Sequence, residues 1–199
     1  MNKPKFEFWF EFASTYSYLS IFRIEDLVKK ESIEIEWKPF LLGPVFKDQG
    51  WNTSPFNIYE AKGKYMWRDI ERLSQKYIIP FKKPTQFPRN GILAARVALA
   101  SEGEDWVPEF TKKVFIANFV EDREIADEEV IGSILDSMSL DVPSIIERAK
   151  GQENKDRLRS QTQLSADKGI FGAPTFVIGK EIFWGNDRLE DAFVWYKKL

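Results

Sequence analysis

Ser14-Thr15-Tyr16-Ser17 stands where one backbone period gives way to another. Before it, Phe6, Phe8, Phe10 and Phe12 alternate with Glu7, Trp9 and Glu11, the period of a strand. After it, Tyr18, Ile21, Phe22, Ile24, Leu27 and Val28 recur at helical spacing. A strand that ends in a short hydroxyl-rich turn and opens a helix presents free backbone N–H groups and the positive end of a helix dipole. Such a place can hold an anion, and a thiolate is an anion. The same hydroxyls also serve as plain helix caps, and these residues alone do not separate the two uses.

The chain has no thiolate of its own, because it contains no Cys, and it has no His either. That excludes a disulfide framework, a redox dithiol and a cysteine nucleophile. It equally excludes a His-based triad, imidazole acid–base catalysis and His metal ligation, and no metal site is expected. Any sulfur chemistry requires a sulfur that arrives with a ligand.

Two further segments bear on such a ligand. In Phe171-Gly172-Ala173-Pro174-Thr175-Phe176, the proline opens a strand, where its missing N–H costs no ladder bond. Gly185-Asn186-Asp187-Arg188 forms another helix start, with a carboxylate and an amide beside free N–H groups. Those groups could hold an α-amino acid moiety, the N–H groups taking its carboxylate and Asp187 its ammonium. Taken alone, Asn-Asp is also an ordinary cap, and Ala-Pro an ordinary trans bond.

Composition narrows the setting. At 199 residues, 43% of them hydrophobic and 15% aromatic, one domain with or without an insertion is expected, with ample core. A net charge of −2 with interleaved signs argues against nucleic acid or an anionic membrane as the main partner. The first residues, Met-Asn-Lys-Pro-Lys, lead straight into the Phe/Glu strand with no signal-peptide core. No apolar run approaches the ~18 residues that span a bilayer. A soluble, cytoplasmic protein is expected.

The elements that must position these segments follow in order. Residues 6–12 form a strand, about 16–30 a helix, and Ile33, Ile35 and Trp37 a second strand that Pro39 closes. This β-α-β unit makes the two strands parallel. Residues 40–58 are turn-rich and aromatic, without a clear period, and read as a long functional loop with at most a short helix. Residues 59–168 are helical in pattern. Tyr65, Ile70, Leu73 and Tyr77 mark one inward face, and an Ala-rich helix from Ile92 ends near Gly103. A helix over 107–119 turns Val114, Phe115 and Phe119 inward, and Asp127 caps a helix holding Val130, Ile134 and Leu135. Shorter helices cover 143–150 and 154–167. At the end come a strand over 175–178, a Gly179-Lys180 hairpin turn, a strand over 181–184 and a helix over 188–198.

The order β-α-β, helical insertion, β-β-α is the thioredoxin plan. The fold class expected is therefore α/β, a thioredoxin-like β-α-β / β-β-α sheet with a large helical insertion. Residues 1–58 and 169–199 form the thioredoxin-like domain, and 59–168 the inserted helical subdomain. In that architecture the strand-opening proline is cis and faces the first helix's N-terminus, where oxidoreductases carry Cys-x-x-Cys and this chain carries Ser-x-x-Ser. Ala173 would then offer its backbone to a peptide-like ligand.

Together these segments resemble the 2-hydroxychromene-2-carboxylate isomerases and the related kappa-class glutathione transferases, of the DsbA-like branch of the thioredoxin fold. The resemblance runs nearly end to end. It rests on Phe12-Ala-Ser14-Thr-Tyr16-Ser-Tyr18-Leu, Phe46-Lys-Asp-Gln-Gly-Trp-Asn52, Ala61-Lys62-Gly-Lys-Tyr65-Met, Phe171-Gly-Ala-Pro-Thr-Phe and Phe183-Trp-Gly-Asn-Asp187-Arg-Leu. It implies bound glutathione, with the Ser14 hydroxyl stabilising its thiolate and Thr15 and Tyr16 beside it at the helix start. It further implies Ala173 and Pro174 against the cysteinyl unit, Asn52 and Lys62 at the glycyl end, and Asn186 and Asp187 at the γ-glutamyl end. Thr15 stands where many relatives have Pro, and Trp51 is an extra residue in the loop before Asn52. A homodimer is implied by the same resemblance.

The implied chemistry is cis-trans isomerisation of a small aromatic acid by reversible thiolate addition, which needs neither redox change nor a protein general base. Trp51, Phe56, Tyr59, Tyr65, Trp67 and Phe87 are available to line a site for a flat acid, or to fill the core. Two alternatives share the sequence features: a kappa-like transferase that releases the conjugate, and a non-catalytic thioredoxin-like binding module. Retention on immobilised glutathione would speak against the module, and only product analysis separates the two enzymes.

Overall fold

The aromatic alternation at the start of the chain becomes a strand buried on both faces. In the computed structural model, which describes residues 4–31 and 33–199, β1 spans Phe6–Phe10. Phe6, Phe8 and Phe10 enter the main core, where Phe8 stacks on Phe176 with ring centroids 5.3 Å apart. Trp9 is equally buried on the opposite face, among Phe40, Val45, Ile170 and Val177. The strand stops two residues short of the expected end. Phe12 nevertheless stays in the core, packed on Phe115 at 5.3 Å.

The strand is followed by α1 (Thr15–Glu31) and β2 (Ile35–Pro39), which runs parallel to β1. The chain returns to the sheet with β3 (Thr175–Ile178) and β4 (Glu181–Trp184), joined by the Gly179-Lys180 turn. The sheet order is β2-β1-β3-β4, with β1–β3 and β3–β4 antiparallel. The fold is thus the expected DsbA-like thioredoxin plan, closed by a short 3-10 turn at Asn186–Arg188 and a helix at Leu189–Lys197.

Between the halves lie α2 (Leu42–Asp48), α3 (Pro55–Ile58), α4 (Glu60–Tyr77), α5 (Ile92–Ala100), α6 (Val107–Phe119), α7 (Glu128–Asp136), α8 (Val142–Lys150) and α9 (Gln152–Asp167). The stretch expected as a loop over 40–58 therefore holds two helices. Pro55 at the first position of α3 and the Ser54 hydroxyl, which accepts from the Phe56 N–H at 3.3 Å, set the start of the second.

The inward face of α4 differs from the expected one. Gly63, Met66, Ile70 and Ser74 are buried, whereas Tyr65 is 62% exposed and Leu73 only partly buried. The physical reason is close approach: a Cβ at Gly63 would run into the Phe56 carbonyl oxygen of α3. The face is defined by small residues that a hydrophobic count passes over. Asp127 does stand at the cap of α7, but its side chain makes no cap hydrogen bond, and Val130 is only partly buried beside the buried Ile131.

The insertion and the sheet share one hydrophobic cluster. Phe6, Phe8 and Phe10 of the sheet lie in it with Ala94, Val97, Phe110, Phe115 and Phe119 of α5 and α6. At nearly 2 kcal/mol or more per fully buried large side chain, such a cluster holds the insertion against the strand-to-helix junction. Among the described residues, no helix is long and apolar enough to cross a membrane.

Candidate active site

Ser14, Thr15, Tyr16, Asn52, Lys62 and Ala173 converge on one cavity of about 710 Å³. Its floor is the junction between β1 and α1. Its walls are α2, the turn before α3, residues 87–92 of the insertion and the loop before β3. That size lies within the range of small-molecule sites.

Ser14 sits on the floor with two hydrogen bonds. Its Oγ accepts from the Ser17 N–H at 3.2 Å, which is an N-cap interaction. Its O–H donates to the Ala173 carbonyl at 3.0 Å, across the site. The hydroxyl thus caps α1, one of the two uses its place in the sequence allows, and also reaches the loop before β3. Ser17 is fully buried. The Ala173–Pro174 bond is cis, as expected, and the Pro174 carbonyl accepts from the Gly185 N–H at 3.0 Å. A second cis bond, Phe87–Pro88, lies in the insertion wall and carried no sequence signal.

Thr15 and Tyr16 line the cavity beside Ser14. The Tyr16 hydroxyl donates to Asp69 Oδ2 at 3.0 Å. Burial, then the charges of Asp69 and of the more distant Asp187, hold that phenol protonated well above the usual tyrosine range. Asn52 and Lys62 stand exposed at the cavity's edge, with the Lys62 ammonium over the Tyr59 ring at 4.7 Å from its centroid.

Asn186 and Asp187 occupy a different place. Neither lines the cavity. Asn186 is buried, and its Oδ1 accepts from Arg23 Nη1 at 2.6 Å and from Ser20 Oγ at 3.2 Å, tying the last turn to α1. Asp187 has its side chain 75% exposed, folded toward Gly185, whose φ of 112° a residue with a Cβ rarely adopts.

Of the aromatics expected to line a site, Trp51, Phe56 and Phe87 do so. Tyr59, Tyr65 and Trp67 lie outside the cavity's lining; Trp67 packs behind it, edge-on to Phe87 at 4.8 Å. The mouth is formed instead by Phe171 and Trp184, ring centroids 4.8 Å apart and each about half exposed. Gly172 allows this, since a Cβ there would meet Trp184 Nε1 at 2.5 Å.

Two ionisable groups on the cavity wall escaped the sequence reading. Arg89 is almost fully buried, with its guanidinium held by Asp122 Oδ1 at 2.5 Å and by Asn118. The Thr85 N–H and Arg89 in turn hold the Asp122 carboxyl well below the usual carboxylate range. Glu11 is the other. It ends the β1 alternation on what sequence alone presents as a solvent-facing position. The available signal was an acidic residue three positions before the helix-opening serine.

Residues 5–192 match the family of DSBA-like thioredoxin domains. The chain is 28% identical to the 2-hydroxychromene-2-carboxylate isomerase of Sphingobium xenophagum over 185 residues, 92% of this chain and 93% of that protein. It is 23% identical to glutathione S-transferase kappa 1 of Rattus norvegicus over 198 residues, 92% and 87% of the two chains. A solved structure of 2-hydroxychromene-2-carboxylate isomerase superposes with a TM-score of 0.87 at 25% identity, covering 97% of this chain and 94% of that one.

Proposed function

This chain belongs to the family of DSBA-like thioredoxin domains, and from that premise we propose that it is a glutathione-dependent isomerase. Its substrate would be an aromatic ring-fission product of the 2-hydroxychromene-2-carboxylate type. One observation carries the proposal. In a chain without cysteine, a serine hydroxyl at the start of α1 is aimed at the carbonyl preceding a cis-proline, on the floor of a largely apolar cavity.

The residues present suit glutathione. Lys62 and Asn52 at the edge can take a carboxylate, and the Ala173 backbone can pair with the cysteinyl amide. Asp187 is the acid available for the ammonium group. It lies beyond Tyr16, close enough for its charge to raise that phenol's pKa. Asn186, fixed by Arg23, would contribute through the backbone it positions rather than through its own amide.

Bound glutathione would supply a thiolate able to add reversibly to an electrophilic carbon, so that a double bond gives way for a time to a single bond about which the substrate turns. The protein's part is to hold and orient. The Ser14 O–H would swing from Ala173 to the sulfur, keeping the Ser17 N–H on its oxygen. The first N–H groups of α1, at Thr15 and Tyr16, and the helix dipole favour the same anion. Each pKa unit by which the thiol is lowered corresponds to about 1.4 kcal/mol. Trp51, Phe56, Phe87 and Trp184 would enclose a flat aromatic acid and exclude water.

The kappa transferase among the relatives supports a second reading, in which a conjugate is released. One experiment addresses both. The protein is mixed with a panel of aromatic ring-fission products, with and without glutathione, and products are resolved by absorbance and mass. Isomerisation that requires glutathione, without net thiol consumption, is expected. Stoichiometric conjugate would favour the transferase, and turnover without glutathione would contradict both.

A further inference from the structure

Glu11 has no part in the reading above, yet its carboxyl lies in the same cavity as Ser14. The two residues leave β1 together, the Ser14 N–H donating to the Glu11 carbonyl at 3.0 Å. Their side chains go to different walls. Ser14 is tied to Ala173, on the strand side. Glu11 Oε2 accepts from the Ala13 N–H at 2.9 Å, and Oε1 lies 3.4 Å from where a Cβ on Gly91 would be. Gly91 caps α5 in the insertion, so Glu11 faces the half of the cavity bounded by residues 87–92. Ala173, whose backbone would pair with a peptide ligand, belongs to a different wall, the loop before β3.

Among the described residues, no cation neutralises this carboxyl. The other ionisable groups on the cavity wall are Tyr16, Lys62 and Arg89. Tyr16 is engaged with Asp69, Lys62 lies over Tyr59, and Arg89 is held by Asp122 with Glu124 at 3.6 Å. Burial pushes the Glu11 carboxyl up to about 8, opposed only by the Ala13 N–H. At neutral pH it is therefore a neutral acid, with an O–H to donate.

We propose that Glu11 donates a hydrogen bond to the carbonyl oxygen of a conjugated aromatic keto acid lodged against residues 87–92. The proposal deepens the function put forward above and rests on it for the class of substrate. A fixed donor in a largely apolar cavity draws electron density toward that oxygen, leaving the conjugated carbon more electrophilic. The proton stays on Glu11 throughout, so the step needs no co-reactant. A carboxylate at this position would instead repel the oxygen and any neighbouring thiolate.

The test uses benzylidenepyruvate carrying a heavy carbon isotope at its keto group, bound to the whole protein without glutathione. Isotope-edited infrared spectroscopy reads the keto stretch. In the wild type the stretch should be lowered relative to the free probe. The shift should vanish as pH rises through about 8, where Glu11 loses its proton. Glu11→Gln, which keeps a donor, should retain a smaller shift that does not change with pH. Glu11→Ala should lose the shift and bind the probe roughly 10-fold more weakly. Circular dichroism confirms that each variant is folded. The same stretch in all three proteins, a wild-type shift indifferent to pH, or no binding of the probe by the wild type would overturn the proposal. A wild type that shows the shift but ignores glutathione would overturn the glutathione reading and leave the Glu11 donor in place.

Discussion

The Ser14 hydroxyl and the Ala173 carbonyl meet at 3.0 Å although 159 positions separate them in sequence. One belongs to the first strand-to-helix junction and the other to the loop that opens β3. The sheet order, which sets β1 beside β3, brings them together. The insertion between them then closes the cavity from the far side.

Asn186 and Asp187 should separate cleanly on mutation. Asn186→Ala removes a buried acceptor from Arg23 and Ser20 and should cost about 1–3 kcal/mol of stability. Asp187→Ala should leave stability almost unchanged. It should weaken glutathione binding by about 1 kcal/mol, the modest figure reflecting an exposed carboxylate. Denaturant unfolding and titration calorimetry check the two. Equal stability losses would mean that Asp187 is structural.

Gly63→Ala should be costly for a helix position, where alanine is normally the better former. The added methyl has to displace the Phe56 carbonyl of α3, and Phe56 lines the cavity. A loss of about 1–3 kcal/mol is expected, as for other overpacked contacts, together with weaker ligand binding. Unchanged thermal stability would show that α3 yields freely.

How much was legible beforehand divides along physical lines. β3, the Gly179-Lys180 turn and β4 could be read because alternation and turn chemistry are local. α2 and α3, of 7 and 4 residues, could not, since neither is long enough to show a period and tertiary packing fixes both. α4 was visible as a helix, but its inward face was misjudged because Gly63 and Ser74 carry no hydrophobic signal. Ser14 stood out by its place at a change of period. Glu11 did not, because a polar residue in an alternating strand looks the same whether it meets solvent or a cavity. The positions of Asn52 and Lys62 at the cavity edge and of Asn186 behind it depend on long-range packing that no local pattern encodes.

Glu11 also leaves a pH signature on stability. The folded protein keeps its proton between about 4.5 and about 8, an interval in which the unfolded chain has lost it. The unfolded state therefore binds fewer protons there, and stability contributed at this position falls as pH rises, levelling off above about 8. Glu11→Gln should lack that decline and exceed the wild type by about 3–5 kcal/mol at the alkaline end. Denaturant unfolding of both proteins across the interval checks this, and parallel curves would contradict it.

The central claim is that the Ser14 hydroxyl stabilises a thiolate brought by glutathione. Its most direct test is the ultraviolet thiolate absorbance of the glutathione complex as pH is varied, in the wild type and in Ser14→Ala. The variant should fold and retain most glutathione affinity, because the ligand's ends are held elsewhere. It should show a higher thiol titration midpoint, with turnover lowered roughly 10- to 1000-fold, the span for losing one preorganised donor to an anion. The same midpoint with and without the hydroxyl would mean that the α1 dipole acts alone and that Ser14 is only a cap.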